Sequence, residues 1–416
     1  MADRRGFLHV RILMVSDVYF PRINGVSTSI QTFWRELSDR GHELTLVAPD
    51  YGIEGADPEG LIRIPSRYLP MDPEDRMLRL RVIYARLPEF ARHGYDLVHV
   101  QTPFVAHFAG VRLARRLGLP RVESYHTFFE EYLHHYVRWL PDASMRLAAR
   151  KFSRWQCNNV DALVVPSSAM LERLRAYGVK TPAAIIPTGI EPRDFQSGNG
   201  ERFRSAHGIG PERPVLVHVG RVAREKNIAF LLRVVERLRR EIPGVLLVVA
   251  GEGPARHELE REAAALGLAG NVRFVGYLAR DGALQDCYRA GDAFVFASRT
   301  ETQGLVLLEA MALGVPVVST AVMGTRDILA PGRGALVATE AVEDFAAKAL
   351  RILRDPRLRR RLSGEARAYA GEWTAGALAE RMIGFYARVV EAHRRGESPV
   401  TAGAAGVVPC GEKEGA

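Results

Sequence analysis

Ala293-Phe294-Val295-Phe296-Ala297-Ser298-Arg299-Thr300-Glu301-Thr302-Gln303-Gly304-Leu305-Val306-Leu307-Leu308-Glu309-Ala310-Met311-Ala312-Leu313 is a strand, a loop and a helix in succession. Residues 293–297 are apolar without interruption, the pattern of a parallel strand covered on both faces. From Leu305 to Leu313 only Glu309 is polar. A helix apolar on all sides is buried, and a buried carboxylate is costly unless something hydrogen-bonds it. Either the fold supplies that partner or a ligand does. Hydroxyl-rich sugars suit a carboxylate, which only accepts hydrogen bonds. The free N–H groups after Gly304 suit an anion such as a phosphate. Carboxylate, anion cradle, carboxylate is a layout for a nucleotide sugar. Two unrelated acids, one in a structural salt bridge, would fit the spacing equally well.

The same alternation runs along the whole chain. Apolar runs at 10–15, 44–48, 97–100 and 162–165 read as strands in the first half, and 121–124 precedes a candidate site loop. In the second half the runs are 215–219, 245–250, 272–275, 293–297 and 315–319. Helical stretches separate them, so the expected fold class is α/β, with two doubly wound Rossmann-like units. The length of 416 residues also favours two domains. Breakers at Pro187-Thr188-Gly189-Ile190-Glu191-Pro192 and Ser197-Gly198-Asn199-Gly200 mark the boundary. The expected layout is a first domain over 1–190, a linker over 191–212 and a second domain over 213–370. Helical stretches close the chain to 395, and 396–416 reads as a disordered tail.

Hydrophobic and charged contents of 47% and 25% are those of a globular protein, and no apolar run nears the ~20 residues of a membrane span. Cys157, Cys287 and Cys410 are far apart, without zinc spacing, and imply reduced thiols in a cytoplasmic chain with no signal-peptide pattern. The net charge of +9 leaves nucleic acid, anionic membrane and phosphorylated substrate open. No aromatic platform or reader motif supports nucleic acid. G-x-G-x-x-G, the Walker A loop and the G-x-S-x-G elbow are absent, which disfavours dehydrogenases, P-loop enzymes and serine hydrolases.

Ligands of doubly wound sheets bind outside the carboxyl ends of the strands. After the first strand, Gly25 opens a helix and permits close backbone approach. His126 follows the strand at 121–124, though a lone histidine is commonly structural. Arg221 and Lys226 follow the strand at 215–219, where two cations can neutralise a departing diphosphate. A solvated basic loop is the plain alternative. Gly251-Glu252-Gly253-Pro254 reads as a turn, and Gly276 with Tyr277 offers backbone to a base. No Asp-x-Asp pair stands at a strand end, so a metal-held diphosphate is not indicated. Asp72-Pro73-Glu74-Asp75 reads as a helix start. Arg76-Met77-Leu78-Arg79-Leu80-Arg81-Val82-Ile83-Tyr84-Ala85-Arg86-Leu87 reads as an interfacial helix. Leu80, Ile83, Tyr84 and Leu87 form its stripe, and Arg76, Arg79, Arg81 and Arg86 lie off it.

Together these motifs resemble the retaining GT-B glycosyltransferases of glycosyltransferase family 4, from Ile12 to about Trp373. Asp17–Ile30, Tyr125–Tyr136 and the Glu301-Thr302-Gln303-Gly304-Leu305-Val306 variant are similar to the bacterial diacylglycerol glucosyltransferase branch. The resemblance implies two Rossmann-like domains facing across a cleft, 1–190 binding the acceptor and 213–370 the nucleotide sugar, with a helix over 371–395 packing back on the first. It implies that Gly25 lies near the donor diphosphate, His126 beside the transferred sugar, and Arg221 and Lys226 on the diphosphate. It assigns Glu301 to sugar hydroxyls, Glu309 to the ribose, Gly304 and Leu305 to sugar or phosphate, and Gly276 to the donor. It implies no cofactor and no metal, a UDP-hexose donor, a lipid acceptor and a peripheral place on the inner face of the cell membrane. Many family members have Gly-Gly where Asn24-Gly25 stands, and Gly with an aromatic where Thr302-Gln303 stands. A GDP-mannose-dependent mannosyltransferase acting on phosphatidylinositol, another lipid or a glycan is the alternative. A sugar-nucleotide epimerase can share the two-unit fold.

Overall fold

A computed structural model describes residues 9–52, 57–69, 72–126, 142–195 and 197–399. The chain divides into two compact units, the first holding residues up to Gly189 and from Ala375, the second Ile190–Thr374.

The first unit is a seven-stranded parallel sheet. Its strands are β1 (Arg11–Val15), β2 (Glu43–Pro49), β3 (Leu61–Ile64), β6 (Leu97–Val100), β7 (Arg121–Ser124), β8 (Ala162–Val165) and β9 (Ala183–Ile185), in the order β3-β2-β1-β6-β7-β8-β9. The order reverses beside β1, which makes the ends of β1 and β6 the switch point of the sheet. One face carries the helix Gly25–Asp39 and the closing helix Ala375–Arg395, whose Leu378, Met382, Phe385, Tyr386 and Val389 join the core with Ile12, Met14 and Leu46. The other face packs Leu13, Val15 and Val98 against the helix Val105–Leu117. Each such fully buried aliphatic side chain contributes ~1.5–3 kcal/mol, an upper value because the unfolded chain is itself partly collapsed.

The segment read as an interfacial helix is different. β4 (Ser66–Leu69) and β5 (Asp72–Leu78) pair as an antiparallel hairpin, so residues 72–78, including the supposed helix start, are strand. Only Leu80–Ala85 is helical before a second helix, Leu87–His93. The stripe is not a free face: Ile83 is buried, and Leu80, Tyr84 and Leu87 pack on the same core. Arg76 stacks on Tyr68 at 3.6 Å, Arg86 pairs with Glu89 at 3.1 Å, and Arg79 and Arg81 are exposed. The period was right, but the hydrophobic face it marks belongs to the protein interior.

The second unit holds β10 (Val215–Val219), β11 (Leu246–Ala250), β12 (Val272–Gly276), β13 (Ala293–Phe296), β14 (Val317–Thr320) and β15 (Ala335–Ala338) in a parallel sheet ordered β12-β11-β10-β13-β14-β15. The residues read as a linker are built into it. Asn199 caps the helix Gly200–Ala206, and a Cβ on Gly200 would come within 2.3 Å of the Arg289 carbonyl oxygen, so that helix sits directly on Ala283–Ala290. The final helical stretch breaks at 371–374, between Pro356–Ala370 and Ala375–Arg395. Residues 400–416, read as a tail, lie outside the described residues. Among the described residues no helix is long and apolar enough to cross a membrane.

Candidate active site

The carboxyl edge of the second sheet is made of backbone packed on backbone. Gly251 N–H donates to the Gly276 carbonyl at 2.7 Å, and Val222 N–H to the Glu252 carbonyl at 2.9 Å. A Cβ on Gly251 would lie 1.9 Å from the Gly220 carbonyl oxygen, and one on Gly253 2.3 Å from that of Val222. Only glycine allows these loops to lie side by side. The turn after β11 is therefore structural, and the Gly276 carbonyl is engaged by Gly251. Tyr277, next to it, is exposed.

Lys226 ends a short 3-10 turn, Arg224–Lys226, which closes on Asn227 at φ 56°. Its ammonium donates to Glu301 Oε1, and each side chain is 18% exposed. Glu301 is fixed from behind, because its carbonyl accepts from Gly324 N–H at 2.8 Å. Residues 75 apart in sequence thus form one partly buried pair at the ends of β10 and β13. Beneath it lies a residue the sequence reading passed over. His218 on β10 is buried, stacks on Phe296 at 5.5 Å and bonds the Val295 carbonyl through Nδ1 at 3.1 Å. Burial pushes its imidazole down to about 4, so it is neutral at ordinary pH. Arg221 is exposed and has no ion-pair partner among the described residues.

Gly304 takes φ 97° and caps the helix Leu305–Ala312 without a side-chain hydrogen bond. A Cβ there would meet Thr325 Cγ2 at 2.8 Å. Conformation and packing both demand glycine, and the N–H groups of the half-buried Leu305 and Val306 are among those a helix start leaves without an intrahelical partner. Glu309, one turn in, is 1% exposed, and here the fold itself supplies the partners. Arg280 Nη2 donates to Oε1 and Tyr288 Oη to Oε2, both at 2.7 Å. Arg280 was absent from the sequence reading, although it stands four residues past Gly276 in the strand-end loop. Any ligand reaching Glu309 must share it with that arginine.

In the first unit, Gly25 is the first residue of its helix and is exposed, and a Cβ there would touch nothing within 4 Å. The protein's own packing places no demand for glycine at that point. Asn24 caps the helix by accepting from Ser27 N–H at 2.9 Å, a physical role for the residue that departs from the family pattern. Asp17 is buried after β1 and accepts from Ala106 N–H at 3.0 Å and Thr102 Oγ1 at 2.8 Å. Burial raises its carboxyl to about 7. His126 follows β7; its Nε2 is buried and has no hydrogen-bond partner among the described residues, and burial pushes the ring down to about 4. The motif that continues from His126 lies, at 127–136, outside the described residues. Lys226 and Glu301 thus meet, Glu309 meets Arg280, and Gly25 and His126 belong to the other unit.

The model of Glycosyltransferase Family 4 matches residues 23–194, and that of Glycosyl transferases group 1 matches 199–369. Over 320 residues the chain is 33% identical to the alpha-monoglucosyldiacylglycerol synthase of Streptococcus pneumoniae, spanning 74% of this chain and 71% of that one. It is 28% identical to the GDP-mannose-dependent alpha-mannosyltransferase of Mycolicibacterium smegmatis, over 92% and 98% of the two chains. In fold it is similar to the sucrose-phosphate synthase of Thermosynechococcus elongatus, with a TM-score of 0.74, 22% identity, and 92% and 100% coverage. Two parallel Rossmann-like sheets of this order, matched by these two models over most of the chain, mean that the chain belongs to the GT-B glycosyltransferases, with a family 4 first unit and a group 1 second unit.

Proposed function

We propose that the protein transfers a glucose unit from UDP-glucose to a membrane lipid such as diacylglycerol, with retention at the anomeric carbon and without a metal. The observation that carries this reading is the partly buried Lys226–Glu301 pair, with Glu301 four residues before the uncapped helix start at Leu305, in a chain one-third identical to an alpha-monoglucosyldiacylglycerol synthase. Lys226 and Arg221 take up the negative charge of the diphosphate as the bond from the anomeric carbon to phosphate oxygen breaks. Glu301 holds donor hydroxyls, and Glu309 with Arg280 holds the ribose. His126, neutral because it is buried, serves as a hydrogen-bonding group for the sugar and not as a cation. Gly25 lets backbone approach the diphosphate. The acceptor oxygen bonds to the anomeric carbon on the face the phosphate leaves, and its proton passes to the departing phosphate. No covalent enzyme intermediate is formed.

A GDP-mannose donor is the second reading, favoured by the mannosyltransferase relative that spans nearly the whole chain. Vesicles containing diacylglycerol or phosphatidylinositol, incubated with UDP-glucose, UDP-galactose or GDP-mannose and analysed by mass, separate the two. Glucosyldiacylglycerol from UDP-glucose is expected. Mannosylated phosphatidylinositol would select the second reading, and products confined to soluble glycans would overturn both.

A further inference from the structure

The helix Asp142–Cys157 exposes two of its large apolar side chains. Its buried positions include Met145 and Ala149, but also Ser153 and Gln156. Ser153 Oγ bonds Tyr125 Oη at 2.9 Å, and Gln156 Nε2 donates to Glu123 Oε1 at 3.0 Å. On the outer side Leu147 is 53% exposed and Trp155 49% exposed. They stand two turns apart, about 12 Å along the axis, with Lys151 midway. Phe108 of the helix Val105–Leu117, 45% exposed, lies against Trp155 with ring centroids 5.8 Å apart. Arg146 and Arg154 are exposed in the row beside Leu147 and Trp155, and Arg112, Arg115 and Arg116 are exposed on the neighbouring helix. Across both helices Asp142 is the only acid.

We propose that this face docks on an anionic bilayer, with Leu147, Trp155 and Phe108 entering the boundary between headgroups and acyl chains and Arg146, Lys151 and Arg154 lying over the anionic headgroups. The proposal deepens the lipid-acceptor reading and takes its biological purpose from it. Charge complementarity selects the occupant. The apolar groups sit at the same level as an almost purely cationic rim, the pattern of helices that lie in a membrane interface. Each cation near an anionic surface adds attraction within a Debye length. A polynucleotide would use the rings and the cations but would gain nothing from Leu147, a full two turns from Trp155. This face also replaces the segment 76–87, whose stripe is occupied by the core.

The test is sedimentation of the full chain with acceptor-free vesicles of phosphatidylcholine alone or with phosphatidylglycerol. The wild type should partition at least tenfold more strongly to the anionic vesicles. Leu147→Glu should cut that binding at least fivefold, and R146E/K151E/R154E about a hundredfold, with unchanged circular dichroism and melting. R79E/R81E should stay within twofold of wild type. Undiminished binding of the first two variants, loss confined to R79E/R81E, or tighter binding to DNA than to anionic vesicles would each overturn the docking face. If the wild type makes glycolipid while these variants bind vesicles normally, the docking face falls and the reaction stands. If docking follows the predicted pattern and no donor yields a lipid product, the docking face stands and the reaction falls.

Discussion

Lys226 and Glu301 should shift nucleotide affinity in opposite directions. The pair is mutual: Lys226 has three N–H donors and gives one to Glu301. A diphosphate beside it meets one attractive and one repulsive charge. At an effective dielectric of ~20 and a separation of roughly 7 Å, each unit charge is worth ~2.4 kcal/mol. Both side chains are 18% exposed, so solvent screening roughly halves this to ~1 kcal/mol. Glu301→Gln removes the repulsion and should tighten UDP binding about fivefold. Lys226→Met removes the attraction and leaves Glu301 without its cation, so UDP should bind ~10–50-fold more weakly, about 1.4–2.3 kcal/mol. Transfer should fall ~10²–10³-fold in both variants, because the proposed function puts Lys226 on the charge that develops at the leaving group and Glu301 on the sugar. Calorimetric titration with UDP and initial rates with labelled donor measure the two quantities. Movement of UDP affinity in the same direction in both variants would refute the assigned electrostatics, as would transfer within fivefold of wild type in Lys226→Met.

Other consequences are more local. Tyr288→Phe removes a hydrogen bond to the buried Glu309 carboxylate and should cost ~1.5–3 kcal/mol in urea unfolding. Gly304→Ala forces a side chain into φ 97° and against Thr325, and should lower stability by ~1–3 kcal/mol while weakening UDP binding. Tyr386→Phe leaves His99 Nδ1, 2.6 Å from the lost hydroxyl, without its partner and should cost ~1–3 kcal/mol by the same measurement. Asp17 has its carboxyl raised from 3.8 to about 7, so the fold prefers the protonated form. The stability it contributes is complete below about pH 4 and lost as pH rises through 7. Asp17→Asn should therefore gain on the wild type between pH 5 and 8, by ~4 kcal/mol at most, and a flat difference across that range would exclude the shift.

The sheets were legible because continuous apolar runs have few other uses. β10, β11 and β13 lie within a residue or two of their expected positions, whereas β3, β9 and β15 were not read at all. β3 carries Arg63 amid three apolar residues, and β9 and β15 are three and four residues long at sheet edges, where half-exposed strands lose the signature of two-sided burial. Glu301 and Lys226 could be nominated from strand ends, but their contact spans 75 residues and depends on β10 lying beside β13, which no local pattern encodes. Arg280 escaped because a single arginine in a polar loop looks solvated until Glu309 is seen beneath it. The interfacial helix was misplaced for a related reason. Periodicity finds a stripe, and a stripe normally faces the core, as Leu80, Ile83 and Leu87 do. The helix Asp142–Cys157 buries serine and glutamine and exposes leucine and tryptophan, so period alone points to its wrong side.

The charges of the second unit show where an anion gains most. Lys226 is neutralised by Glu301, and Arg280 by Glu309, before any ligand arrives. A buried or half-buried pair of this kind contributes little net stability, because desolvation offsets much of the attraction. Among the described residues, Arg221, exposed after β10, has no ion-pair partner, and the helix start at Leu305–Ala312 has no side-chain cap. Both are positive, and one is a full charge while the other is a partial one from the helix. A monoanion would be served by either alone. A diphosphate, which needs two positive partners and gains charge as its sugar departs, can use both and then draw on Lys226, whose remaining donors are free to turn toward it. On the proposed reading, the departing charge would be met by these side chains and the helix-start backbone.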